Sequence, residues 1–87
     1  MSHNQLNTLI RMANQIADNN HHYPFEQAVA LVCNHLQKFW AKAMKMQIIA
    51  YYHNDGSELN PVVTAAIKQL DEHYQTKSTR NAQQSIT

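Results

Sequence analysis

The chain has 87 residues, a formal charge of +1, 15% charged residues and 44% hydrophobic ones. That length gives one domain, marginal on its own, and the near-neutral balance excludes the basic excess of a nucleic-acid-binding protein. The single cysteine, Cys33, excludes an intrachain disulfide framework and fits a reducing compartment.

The first five residues are polar, with no cationic segment ahead of an apolar run, so no signal peptide is expected. No apolar run approaches the ~20 residues that span a bilayer. The expectation is a soluble, cytoplasmic protein. One glycine and two prolines point to helices joined by short turns.

A first helix is predicted over about residues 4–20. Leu6, Leu9, Ile10, Ala13, Ile16 and Ala17 follow the i, i+3, i+4, i+7 pattern of a buried face. The opposite stripe, Asn7, Arg11, Asn14, Gln15 and Asp18, is rich in amides rather than charges. It reads as a solvated face or as a hydrogen-bonding face for a partner. Asn19-Asn20-His21-His22-Tyr23-Pro24 is a turn. The paired histidines do not share a helix face, and no further ligands stand at zinc-like spacing, so no metal site is expected.

A second helix is predicted from Pro24 or Phe25 to Lys38, with Pro24 at its first position. Phe25, Ala28, Val29, Val32, Leu36 and Phe39 form its expected core stripe, and Cys33 serves as a small core hydrophobe. Phe39 to Tyr52 follows. Propensity does not decide whether the helix breaks near Trp40. At about 100° per residue, Ala41, Met44, Ile48, Tyr51 and Tyr52 fall on one side of this segment and Ala43, Met46, Ile49 and Ala50 on the other. Only Lys42, Lys45, Gln47 and His53 interrupt the apolar circle. Such a helix needs cover nearly all round, more than a short chain supplies, so a second polypeptide is expected against it. Lys38, Lys42 and Lys45 would form a weak basic ridge, a minor argument for nucleic acid or another anion.

His53-Asn54-Asp55-Gly56-Ser57-Glu58 is a loop, with Gly56 placed for a positive φ. Asn60-Pro61 reads as helix cap and first helical residue. The last helix is expected to run from Pro61 to about Tyr74 or Gln75, with Leu59, Val62, Val63, Ala66, Ile67, Leu70, His73 and Tyr74 on one side. Residues 76–87 are polar and aperiodic and read as a tail, leaving residues 1–75 as the domain. The architecture expected is all-α, an irregular bundle of three to four short helices. No nucleophile elbow, phosphate loop, HExxH or CxxC motif occurs, so the chain is not expected to be an enzyme.

The string Arg11-Met12-Ala13-Asn14-Gln15-Ile16-Ala17, the Phe39-Trp40 pair with Met44 beyond it, Gly56, and the helix start Leu59-Asn60-Pro61-Val62-Val63 occur in the order seen in one family. The chain resembles the delta subunit of NAD-dependent, molybdenum-containing formate dehydrogenases over about residues 6–70. The resemblance implies a small, helical, non-catalytic subunit of a cytoplasmic complex. Its partner would be the large (alpha) subunit, and its role the assembly, cofactor insertion or stability of that subunit. The parent complex would hold bis-molybdopterin guanine dinucleotide, iron–sulfur clusters, FMN and NAD, none bound stably by this chain. Partner-facing residues would be Arg11, Asn14, Gln15, Trp40, Lys42, Met44 and Lys45. The family string FWDPRM stands here as Phe39-Trp40-Ala41-Lys42-Ala43-Met44, without its Asp-Pro and Arg. A free-standing homo-oligomer is the alternative reading.

Overall fold

The computed structural model describes residues 2–86, with side chains from Gln5 to Gln75. It has four helices and, among the described residues, no strand: α1 (Ser2–Asn19), α2 (Phe25–Phe39), α3 (Lys42–Asn54) and α4 (Pro61–Ile86). The all-α bundle is therefore as the sequence indicates. Its core spine is Val63, Ala66, Ile67 and Leu70 of α4, all 0% exposed. The other helices lay their apolar stripes against it, α2 most extensively.

On α1, Leu9, Ile10, Ala13 and Ala17 are buried, as the spacing predicts. Its last carbonyls are satisfied locally. The Asn20 side-chain amide donates to the Ile16 carbonyl at 2.8 Å, and His21 Nδ1 donates to the Asp18 carbonyl at 2.7 Å. The turn histidines thus serve the helix end. Pro24 stands one place earlier than expected, as the cap of α2, where its carbonyl accepts from the Ala28 N–H at 2.9 Å. Ala28, Val29, Val32, Cys33 and Leu36 of α2 are buried.

Phe25 and Phe39 are corrections to the expected core stripe. They are 53% and 71% exposed. By angle both lie on the core-facing side of α2, but they sit at its two ends, beyond the helices that would cover them.

α2 stops at Phe39 although neither Pro nor Gly is there to stop it. Trp40 is extended (φ −92, ψ 137), as is Ala41 (φ −63, ψ 154), and no side chain caps α3. The cause is tertiary. A continuous helix would carry α3 away from α4 and return Ile48 and Ile49 to water, and the bend also places Trp40 in the core at 5% exposure. Burying an Ile side chain contributes about 1.5–3 kcal/mol. The few helical hydrogen bonds lost at a corner are each worth only about 1 kcal/mol net.

The expectation that α3 exceeds what its own bundle can hide also needs correcting. Ile48 and Ile49, assigned to opposite sides, are both buried within the chain, at 0% and 7%. Met44, Tyr51 and Tyr52 are partly buried against the same core. The uncovered strip is Ala43, Met46 and Ala50. The larger uncovered apolar side chains are on α2.

Between α3 and α4, Gly56 takes φ +70 and Asn60 caps α4, its Oδ1 accepting from the Val63 N–H at 2.8 Å. Both roles, and Pro61 as first helical residue, match the sequence expectation. His53 meets Asp71 at 2.6 Å and ties α3 to α4. The helix does not end near Gln75. Its backbone continues to Ile86, while the side chains from Thr76 onward, like Met1 and Thr87, lie outside the described residues. The polar, aperiodic composition after Gln75 does not itself stop a helix. Lys77, Arg80, Ala82, Gln83 and Gln84 are good helix formers, and no Gly or Pro follows Pro61.

Candidate interaction surface

The residues singled out by the sequence do not form one site. Arg11 and Asn14 line a cleft of about 450 Å³ with Asn7, Ile10 and Glu58. Gln15 and Trp40 line another, of about 200 Å³, with Met12, Ile16, Asn19 and His35. Met44 is half-buried on α3, and Lys42 is exposed at the start of that helix. Lys45 donates to the Gln37 carbonyl at 3.3 Å, with its ammonium 5.9 Å from the Tyr74 ring centroid.

Two of the seven are committed to the fold. Trp40 is a core residue whose edge reaches the floor of its cleft. Asn14 uses both ends of its amide within the chain. Its Nδ2 donates to the Glu58 carbonyl at 2.9 Å, and its Oδ1 accepts from the Asn60 N–H at 3.0 Å. One amide of the α1 stripe therefore fastens the α3–α4 loop beside the α4 cap. Arg11, Gln15 and Lys42 are exposed.

The sequence did not single out the most exposed apolar groups. Besides Phe39 and Phe25, they include Met12 at 38% and Leu31 at 36%. Phe39, Leu31 and Ile16 line a cleft of about 270 Å³ between α1 and α2, with Asn20, Asn34, His35 and Lys38. It shares Ile16 and His35 with the Met12–Trp40 cleft, so the two adjoin, and together they make up the groove along α1 and α2. The His35 ring lies 4.9 Å from that of Phe39 and supports its inner side. A second apolar recess, of about 420 Å³, lies at the other end of α2 between Tyr23, Phe25, Ala28 and Val62. Phe39 is the last residue of α2, a helix end that propensity alone does not locate.

Chemistry for catalysis is sparse. Cys33 is buried, and burial raises its thiol pKa, which makes it a poor nucleophile. Among the described residues no group of three His, Cys, Asp or Glu stands close enough to hold a metal ion. Among the same residues no helix is long and apolar enough to cross a membrane. What the surface offers is a grooved, partly apolar contact face.

The sequence profile of the NADH-dependent formate dehydrogenase delta subunit matches residues 8–67. The matched span begins in α1, contains all seven residues discussed above, and ends within α4. No curated protein and no solved structure matches the chain.

Proposed function

Since the chain belongs to the family of NADH-dependent formate dehydrogenase delta subunits, we propose that it is a non-catalytic accessory subunit of a cytoplasmic formate dehydrogenase complex. It acts by docking on the large subunit, which it helps to assemble, to receive its molybdenum cofactor or to stay folded. The observation that carries this reading, beside the family itself, is the groove of exposed apolar side chains around Phe39, flanked by uncharged amides. Monomeric proteins seldom leave large contiguous apolar surface uncovered unless it binds something.

The assigned roles follow the geometry. Arg11, Gln15 and Lys42 are exposed polar contacts for the partner, and Met44 adds apolar surface. Lys45 is held against α2 and α4. Asn14 and Trp40 act from inside, by fixing the shape that the partner meets. The bis-molybdopterin guanine dinucleotide, FMN, NAD and iron–sulfur clusters belong to the other subunits. Such clusters need sets of cysteine ligands, and this chain has Cys33 alone, buried in its core.

The test is co-expression of the host's formate dehydrogenase subunits with and without this chain. The large subunit is expected to co-purify with it. In its absence the large subunit should show lower yield, molybdenum content or formate oxidation. A large subunit that never co-purifies, and is unchanged when the chain is absent, would refute the proposal. A tight dimer of the isolated chain that leaves no surface for other subunits would favour self-association instead.

A further inference from the structure

The groove between α1 and α2 has a charge pattern that its apolar content does not explain. Among the described residues neither of its two clefts is lined by a carboxylate, and the one charged side chain lining them is Lys38. From Gln27 to Asn54 the chain holds Lys38, Lys42 and Lys45 and no Asp or Glu. The carboxylate nearest in sequence on α1, Asp18, lines the separate recess at the other end of α2. Lys38 and Lys42 make no ion pair among the described residues. An apolar floor is thus paired with unneutralised positive charge at one end.

We propose that this groove receives an acidic amphipathic helix of the large subunit. Apolar side chains at i, i+3, i+4 and i+7 of that helix seat against Phe39, Leu31, Ile16 and Met12, and its carboxylates face Lys38 and Lys42. Helix-in-groove recognition uses this spacing of anchors, and opposite charge at the rim sets orientation and partner choice. The inference rests on the docking role above and adds to it the surface used and the chemistry of the partner segment.

The test uses the full chain co-expressed with the other formate dehydrogenase subunits, with affinity for the large subunit measured at about 0.05 M and 0.5 M salt, where the Debye length falls from over 10 Å to under 5 Å. Phe39→Ser is expected to weaken binding at least tenfold, or about 1.4 kcal/mol. Its circular dichroism and melting should match wild type, because Phe39 is 71% exposed. The double variant Lys38→Glu/Lys42→Glu is expected to weaken binding roughly fivefold at low salt and little at high salt. Lys68→Glu, on an exposed position of α4, should bind as wild type. A photo-crosslinking residue at position 39 should capture a helical peptide with Asp or Glu beside its apolar positions.

Wild-type affinity for both the Phe39 and the double-lysine variants, with the complex still forming, would overturn the inference and leave the docking role standing. So would loss on Phe39→Ser with no salt-dependent effect of the lysines, or a basic or neutral captured peptide. Crosslinking of position 39 to a second copy of this chain would make the groove a self-interface and overturn it too. A wild-type chain that binds no large subunit would overturn both readings together.

Discussion

Asn14→Ala is the most informative single change, because it separates an amide that faces a partner from one that holds the fold. The side chain makes two hydrogen bonds to a segment 44 and 46 residues away, at 2.9 and 3.0 Å. Each such bond contributes about 0.5–1.5 kcal/mol net. The Asn60 N–H is part-buried and loses its partner outright, while the more exposed Glu58 carbonyl regains water. Against this, Ala is a better helix former than Asn by roughly 0.5 kcal/mol. The net cost is about 1.5 kcal/mol. For a domain of this size that lowers the melting temperature by roughly 6–12 °C. The assay is a thermal melt followed by circular dichroism, with urea unfolding at 25 °C as a second measure. Binding of the large subunit at low temperature, where the variant is folded, should be nearly unchanged. A melting temperature within about 2 °C of wild type, an effect of only some 0.3 kcal/mol, together with weakened binding, would refute the reasoning and return Asn14 to the partner-facing residues.

Three further outcomes follow from the same structure. Trp40→Ala, at a position only 5% exposed, should cost about 3–5 kcal/mol, a large part of the 5–15 kcal/mol typical of a domain; an unchanged urea midpoint would contradict its core placement. Gly56→Ala forces a side chain into φ +70 with its Cβ 3.2 Å from the Tyr52 carbonyl oxygen, and should cost about 1–2 kcal/mol, whereas Gly56→Asn should cost less, as the two melts will report. Cys33, with its thiol pKa raised by burial above the ordinary 9.0, should react with an alkylating reagent more slowly than a free thiol at pH 8. Its labelling should rise only at higher pH than for an exposed cysteine, and equal rates in folded and urea-unfolded chain would contradict this. The sign for stability is the same: the neutral thiol is favoured in the fold, so that contribution is present below the ordinary thiol pKa and is lost as pH rises through the raised value.

Much of this fold was legible because its signals are local. The stripe Leu9, Ile10, Ala13 and Ala17, the stripe Val29, Val32 and Leu36, the positive φ of Gly56 and the Asn60 cap each depend on neighbours within a few residues. The contact surface was harder to read. Angular position on α2 assigns Phe25 and Phe39 to the core side, but it carries no information on where along the axis the cover ends. The corner at Trp40 follows from the burial of Ile48 and Ile49 against α4, a contact remote in sequence. Asn14 looked like an outward amide because its acceptor and donor arrive only when the α3–α4 loop folds back onto α1. Family likeness placed Arg11, Gln15 and Lys42 among the partner-facing residues; Phe39, more exposed than any of them in apolar terms, became visible only in three dimensions.

The bend between α2 and α3 has little to lock it locally beyond the Lys45 hydrogen bond to the Gln37 carbonyl. Ala41 offers no side-chain oxygen to the first amides of α3, and neither proline nor glycine enforces the angle. Without α1 and α4, nothing else in residues 38–45 would hold that angle, since each of them tolerates helix. The shape of the hinge is thus a property of the assembled molecule, and whatever loosens the interior also dismantles the platform on which Phe39 stands.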